Sequence, residues 1–486
     1  MIAGRSKPGV WERALRWKPH LSRKKAQKTV SDAAPATPDV GPRDLASVRA
    51  DDLEVHIARH QFPLGVVAGS LALVLYAGTR LQRVAAVLRM HWNWCGLDGG
   101  VASYYSVRLW LLRLGLYQLH RPKTHADDWM WIVDHTMQLG ERKCLIIVAV
   151  RQSAWDAEDR VLSHEDVELI DLVPVTESNG EVVYRQLQAA VAKTGVPRAI
   201  TSDNGPDLHR GIALFREAYP TTAWLYDIKH KTACLLKHAL EGDASWQMFV
   251  EKVHRFKQQV SLTPLAGLAP PQQRSKARYM NVDVLVDWAQ ESLLLLDRPK
   301  AMRKAGLDPR QVEEKLGWLR KFVPQVRRWG EMLAVIETAE HYVRHEGIHA
   351  KAAEELATVL PKPTTPAACR LRKQLLEFVA VEGQQAREGE RLLGSSEVLE
   401  SIIGRFKHLA GERGQHGLTG MVLSIGALVG NLAVETVQTA MTEITTHEVW
   451  NWCRSHLGAT VQSVRQRIRQ ALHPEQKQKT LRLESG

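Results

Sequence analysis

After Lys123 the hydrophobic pattern changes period, and this change limits the folds open to the chain. Upstream, residues 69–88 are apolar at helical spacing, and within 101–116 Tyr104, Val107, Leu111 and Leu114 fall on one helical face. Downstream come apolar runs of strand length at 129–133, 144–150 and 167–175. Asn179-Gly180 reads as a turn. Residues 181–194 then form an amphipathic helix, with Val183, Leu187, Ala190 and Val191 on one face, and Gly195-Val196-Pro197 ends it. A short strand at 198–201, a helix at 207–218, a strand at 222–226 and a helix at 228–240 follow. Three early strands and then alternating helices and strands predict an α/β core, a mixed sheet covered by helices.

The flanking regions are helical or polar. Residues 1–45 are basic and then rich in Ala, Pro and Asp, the composition of a disordered arm and linker. Residues 46–122 have the outline of a helix-turn-helix DNA reader: helix, a turn at Gly96 to Gly100, then a helix with Ser103, Tyr105, Ser106, Arg108 and Arg113 outward. The first part of the core is expected at 123–242, and a charged, all-α insertion at 243–392. A core helix at 393–415 has Ser396 placed to cap its start. Helices and a second basic tail fill 416–486.

The chain carries a net charge of +12 and a sequence pI near 9.4, so a polyanion, nucleic acid or anionic membrane, is the natural partner. The apolar stretches 62–77 and 418–434 fall short of the ~20 residues of a spanning helix and read as buried core. The first thirty residues lack the apolar segment of a secretory signal. Five cysteines without a CxxC pair read as reduced thiols. The expected location is therefore cytoplasmic, associated with the nucleoid, with no membrane partner.

Asp134 and Asp203 each end an apolar strand, in Asp134-His135-Thr136 and Ser202-Asp203-Asn204-Gly205-Pro206. A lone aspartate at a strand end usually serves a turn. Two in this setting, on parallel neighbouring strands, would converge at the C-terminal rim of the sheet. A third acid from a crossing helix would complete an oxygen site suited to Mg²⁺, a hard ion that keeps waters and phosphate oxygens in its octahedron.

These motifs resemble the catalytic core of the DDE transposase and retroviral integrase superfamily. Trp131-Ile132-Val133-Asp134 is similar to that family's first catalytic motif, and Thr201-Ser202-Asp203-Asn204-Gly205 to its second. The family's third acid opens a helix and is followed seven positions later by Lys or Arg; Glu400 with Lys407 fits, and Glu382, Glu388, Glu390 and Glu397 fit less well. Two helical turns put Glu400 and Lys407 on one face. Asp227-Ile228-Lys229-His230 resembles the Asp-x-x-His element of hAT and Mutator-like transposases, which places His230 near the site; the plain alternative is that Asp227 caps the following helix.

The resemblance is specific over residues 129–241 and implies a ribonuclease H-like fold. It also implies Asp134, Asp203 and Glu400 as catalytic metal ligands for two Mg²⁺ ions, with Mn²⁺ able to substitute. Lys407, Arg405, Arg108 and Arg113 are then the expected DNA contacts. Double-stranded DNA, as element ends and target, is the implied partner, handled by a homodimer or larger assembly. The function implied is DNA cleavage and strand transfer. The alternatives are a transposase-derived DNA-binding protein without activity and a nuclease of the same fold.

Overall fold

The computed structural model describes residues 43–96, 100–137, 142–157, 160–271, 282–411, 418–459 and 461–472. The basic arm up to residue 42 and the tail from 473 lie outside them, as do parts of the turns read at 96–100 and 139–142. The chain divides into two compact units. One runs up to Asp227, takes in Arg344–Ile348 and resumes at Gln385; the other holds 228–343 and 349–384.

The first unit is built on a five-stranded mixed sheet. Its strands are β1 (Trp129–Met137), β2 (Lys143–Arg151), β3 (Glu168–Val175), β4 (Ala199–Ser202) and β5 (Ala223–Tyr226), in the order β3-β2-β1-β4-β5. β1 pairs antiparallel with β2, and β2 with β3, whose register shifts between Ile147 and Val148. β1, β4 and β5 run parallel. Seven of the nine residues of β2 are buried, in keeping with its unbroken apolar run in mid-sheet. The strand order and the helical surroundings are consistent with a ribonuclease H-like core, as the motifs imply.

Pleat alternation sorts the side chains. Trp129, Trp131 and Val133 of β1, Leu145, Ile147 and Ala149 of β2, and Ile200 of β4 form one buried core. The helices α5 (Gly180–Thr194) and α6 (Pro206–Ala218) close it with Val183, Leu187, Ala190, Leu208, Ile212 and Phe215.

The N-terminal helices of this unit are α1 (Leu64–Leu75), α2 (Val84–Cys95) and α3 (Tyr104–His120). The apolar stretch 69–88 is thus shared by two helices, with Gly78 at φ +63° in the turn between them. A short α4 (Gln152–Ala157) follows β2. α3 is buried on almost all sides, from Trp110 through Leu116. It packs against the 3₁₀ helix Gly420–Leu428, all nine residues of which are buried. The approach is close because both partners lack a side chain where they meet. A Cβ on Gly115 would lie 1.8 Å from the Leu423 carbonyl oxygen, and one on Gly426 would lie 2.4 Å from that of Gly115.

The outward orientation expected of Arg113 is therefore corrected. Its guanidinium is buried and donates to the carbonyls of Met441 and Ile444, both at 2.5 Å, with His60 Nε2 at 2.8 Å. Stretch 418–434 is buried as expected, but as the 3₁₀ helix and an extended segment. Among the described residues, no helix is long and apolar enough to cross a membrane.

The second unit consists, among the described residues, of helices. They are α7 (Ile228–Leu240), α8 (Ala244–Val260), α9 (Asp283–Leu296), α10 (Pro299–Lys304), α11 (Pro309–Leu316), α12 (Val323–Glu346, ending in the sheet unit), α13 (Ala352–Val359) and α14 (Pro366–Gly383). An aromatic core holds it: Trp246 meets Trp329 edge-on at 4.9 Å, and Phe249 sits 5.0 Å from Trp329. After Gln385 the sheet unit ends in α15 (Glu397–Ala410), α16 (Val434–Glu443), α17 (Thr446–Leu457) and α18 (Val461–Leu472).

Candidate active site at the strand ends

Three aspartates stand at consecutive places where the parallel pairing of β1, β4 and β5 stops. Asp203 and Asp227 follow the last residues of their strands. Asp134, contrary to the expectation from its sequence setting, does not end β1, because β1 continues to Met137 paired with β2. β1 and β4 pair Val133 with Ser202, and β4 and β5 pair Ser202 with Tyr226. One residue further along each strand come Asp134, Asp203 and Asp227. Val133 points into the core, so alternation turns Asp134 to the opposite sheet face. Asp203 sits where β4 gives way to a turn, and its Oδ1 accepts the Gly205 N–H at 3.0 Å. Asp134 and Asp203 are half-buried, whereas Asp227 is fully buried.

α15 supplies the fourth carboxylate. The chain leading into it is fixed to the strand ends at two points. Thr201 Oγ1 donates to the Leu393 carbonyl at 2.5 Å, and the Ser396 N–H donates to Asp227 Oδ1 at 2.8 Å. Ser396 therefore anchors the helix through its backbone; its side chain makes no cap bond, and the Glu397 N–H goes instead to Ser395 Oγ at 3.3 Å. Leu399, Ile402, Ile403 and Phe406 form the buried face of α15. Glu400, in its first turn and half-buried, brings a carboxylate oxygen within 4.8 Å of one from Asp227. Asp134 and Asp203 do not belong to that close set.

Two of the competing acids are engaged elsewhere. Glu390 forms a buried ion pair with Arg198 at 2.5 Å, and Glu397 pairs with Arg344 at 2.6 Å. Of the expected DNA contacts, Lys407 is exposed on α15. Arg405 is bound to the Leu75 carbonyl and to His164 Nδ1 at 3.1 Å, so it ties α15 to the end of α1. Arg108 is half-buried, close to where a Cβ on Gly420 would be. His230 lies in the first turn of α7, which belongs to the helical unit.

A polar cluster that the motifs did not reveal borders Asp203. His135, next to Asp134, lies 3.8 Å from Asp207. Ser178 Oγ donates to Asp207 at 2.6 Å, and Lys143 Nζ is 3.4 Å away. Burial pushes the His135 imidazole below its ordinary value, against the pull of Asp207 and Asp203. Burial would raise the Asp207 carboxyl, but the Ser178 hydrogen bond and the charges of His135 and Lys143 hold it low. The signal in the sequence is faint: Asp207 follows Asp203 by four residues, while Ser178 comes from a separate turn.

The chemistry of these acids suits a divalent hard cation, although only Asp227 and Glu400 of the four belong to the set drawn within coordinating distance. Asp134, Asp203, Asp227 and Glu400 offer only oxygen, on rigid strands and one helix, the ligand type that suits Mg²⁺ or Mn²⁺. Cys144 is the one cysteine on these strands; it is buried, and burial raises its thiol, which keeps it protonated.

No protein-family model matches the chain, and no curated protein matches it. Among solved structures, the Drosophila P element transposase strand transfer complex is similar over 80% of this chain and 94% of that chain, with 11% sequence identity. The TM-score is 0.36.

Proposed function

We propose that the chain is a DNA transposase of the DDE type, which binds element ends and catalyses metal-dependent strand cleavage and strand transfer. The observation that carries this reading is the row of Asp134, Asp203 and Asp227 on adjacent strands, each one residue past the last parallel pair, with the Glu400 helix anchored on Asp227. The catalytic-motif resemblance of Asp134, Asp203 and Glu400 supports it independently of the geometry. Asp227 joins that set as a fourth oxygen donor.

Two Mg²⁺ ions held by these carboxylates would polarise the scissile phosphodiester and activate the attacking oxygen. The rest of the work falls to the chain. The sheet and the anchored helix hold the acids in fixed positions, so little reorganisation is needed when substrate arrives. Lys407, exposed two turns along from Glu400, would meet a DNA phosphate. The same site first directs water at the element end and then directs the released 3′-hydroxyl at target DNA. Handling two ends together calls for a dimer or larger assembly.

The test uses purified protein and DNA carrying the flanks of its own coding locus, with Mg²⁺, with EDTA, and with Mg²⁺ plus Asp203→Ala. Nicking and joining at a defined position that require both Mg²⁺ and Asp203 are the expected result. Tight flank binding with no cleavage in Mg²⁺ or Mn²⁺ would overturn the catalytic reading and leave a DNA-binding protein. Cleavage without joining would leave a nuclease.

A further inference from the structure

The burial of α3 leaves the outline of a DNA reader without a reading helix, and a neighbouring helix has the surface that α3 lacks. α2 is two-faced. Val84, Leu88 and Trp92 point inward, at helical spacing. On the opposite side lie Ala86, Met90 and Asn93, flanked by Arg83, Arg89 and Trp94, all exposed. Met90 is 73% exposed and Trp94 89%, uncommon values for such large apolar side chains. Gly96, at φ +66°, ends the helix, so the face is short and well bounded.

The segment that carries this face has charge of one sign. No Asp or Glu occurs between Glu54 and Asp98, a stretch that includes Arg80, Arg83 and Arg89. All three arginines are exposed, and among the described residues none of their side chains makes a hydrogen bond or ion pair. Exposed arginines on a segment without acids of its own are complementary to a polyanion. The arrangement across the face is more specific than the charge. Small Ala86 allows close approach, Asn93 is a side chain that can read a base edge, and Met90 offers apolar contact to thymine methyl groups. Arg83 and Arg89 stand on either side of this strip, where a groove presents its two phosphate backbones. A helix with its side chains is ~10–12 Å across, which matches the ~12 Å wide major groove of B-DNA and not the deep, narrow groove of duplex RNA.

We propose that α2 is the DNA-reading helix of this protein, entering the major groove of duplex DNA with Asn93 and Met90 at the bases and Arg83 and Arg89 on the backbones. The choice of DNA among polyanions rests on the transposase reading above. The surface is separate from the carboxylate site, and the two can be tested apart.

Binding is measured in EDTA, where no metal-dependent cleavage occurs, by fluorescence anisotropy with a labelled 30-base-pair duplex of mixed sequence over a salt series. Arg83→Ala with Arg89→Ala is expected to weaken binding by about tenfold or more and to reduce the magnitude of the log–log salt slope by roughly 2. Lys351→Ala with Lys362→Ala, an equal charge change on exposed residues of the helical unit, is the control and is expected to have little effect. Selection from a randomised duplex pool with the full chain is expected to yield a preferred motif, and Asn93→Ala to lose it at one or two positions. All the substituted residues are exposed, and a thermal melt confirms folding. Undiminished binding by the double variant, or an equal loss in the control, overturns the proposal. So does equally tight capture of duplex RNA or of anionic vesicles through the same arginines. If cleavage still requires Asp203 while α2 variants bind normally, the α2 proposal fails and the catalytic reading stands.

Discussion

Asp227 faces two neighbours at once. One oxygen receives the Ser396 N–H, and its carboxylate approaches that of Glu400. Asparagine keeps an oxygen for the N–H but loses the negative charge; alanine loses both. Asp227→Asn is therefore expected to melt close to the wild-type temperature, whereas Asp227→Ala loses ~1–3 kcal/mol for a buried N–H left without a partner. Both are expected to abolish Mg²⁺-dependent cleavage. Denaturant titration beside a cleavage assay separates the two effects. Near-normal cleavage by Asp227→Asn would remove Asp227 from the metal set.

Lys123 makes a pH prediction at the same scale. Its ammonium is almost fully enclosed, donates to the Gln118 carbonyl at 2.7 Å, and burial lowers its pKa to about 7. The folded state then binds fewer protons than the unfolded state between pH 7 and the ordinary lysine value, so stability from this group rises with pH across that window. The slope approaches ~1.4 kcal/mol per pH unit at most. Lys123→Met removes the buried charge. It is expected to be more stable than wild type at pH 6, with an advantage that shrinks towards pH 10 in paired thermal melts. A constant difference would contradict the enclosed amine.

Single residues were legible in the sequence where local pattern carried them. Asp134 and Asp203 end apolar runs, and a run followed by an acid and a turn can be read from a few neighbours. Asp227 and Arg113 could not be assigned in this way. Asp227 is held by a segment 169 residues away, and Arg113 by carbonyls more than 300 residues away. No local spacing reports such partners, and an arginine on a helix reads by default as exposed.

At the scale of elements, the strands were the most legible part. Their order and most of their bounds follow from runs of Val, Ile, Leu and Trp punctuated by Gly, Pro and Asn. The helices of 46–122 were read less well, because α3 is apolar on several sides and its true neighbour is a distant 3₁₀ helix. The contact between them depends on Gly115 and Gly426. Gly115→Ala would force a methyl group into the Leu423 carbonyl, a backbone atom that cannot rotate away. The expected cost is about 3 kcal/mol, read as a lower urea midpoint with an unchanged slope. Ala at Gly404, which has open space around it, is the matched control with little expected change beyond a small helical gain.

At the scale of the whole molecule, the sheet unit is assembled from separated stretches of chain. All five strands lie before residue 227, yet the unit is not complete there. Leu393 receives the Thr201 hydroxyl, Glu390 neutralises buried Arg198, and residues 420–428 cover α3. A chain ending at residue 242 keeps every strand and loses all three. It is expected to lack a cooperative thermal transition and to bind a dye for exposed apolar surface. A sharp transition in that shortened chain would show that the later segments only decorate the sheet. The sequence placed a helical segment between the second and third acids through its charge and lack of strands, but composition alone could not place its ends.

The bond between Asp227 and Ser396 also bears on how such a gene would decay. If selection for DNA cleavage were lifted while DNA binding stayed useful, the acids would not drift together. Asp203 supports its own turn through Gly205, so changes there are absorbed locally. Asp227 fastens a segment from much later in the chain, so substitutions there are filtered by folding even when no reaction is needed. Inactive descendants would retain an oxygen-bearing side chain at 227 long after 203 had changed, and the order in which the two positions are lost would date the end of catalysis.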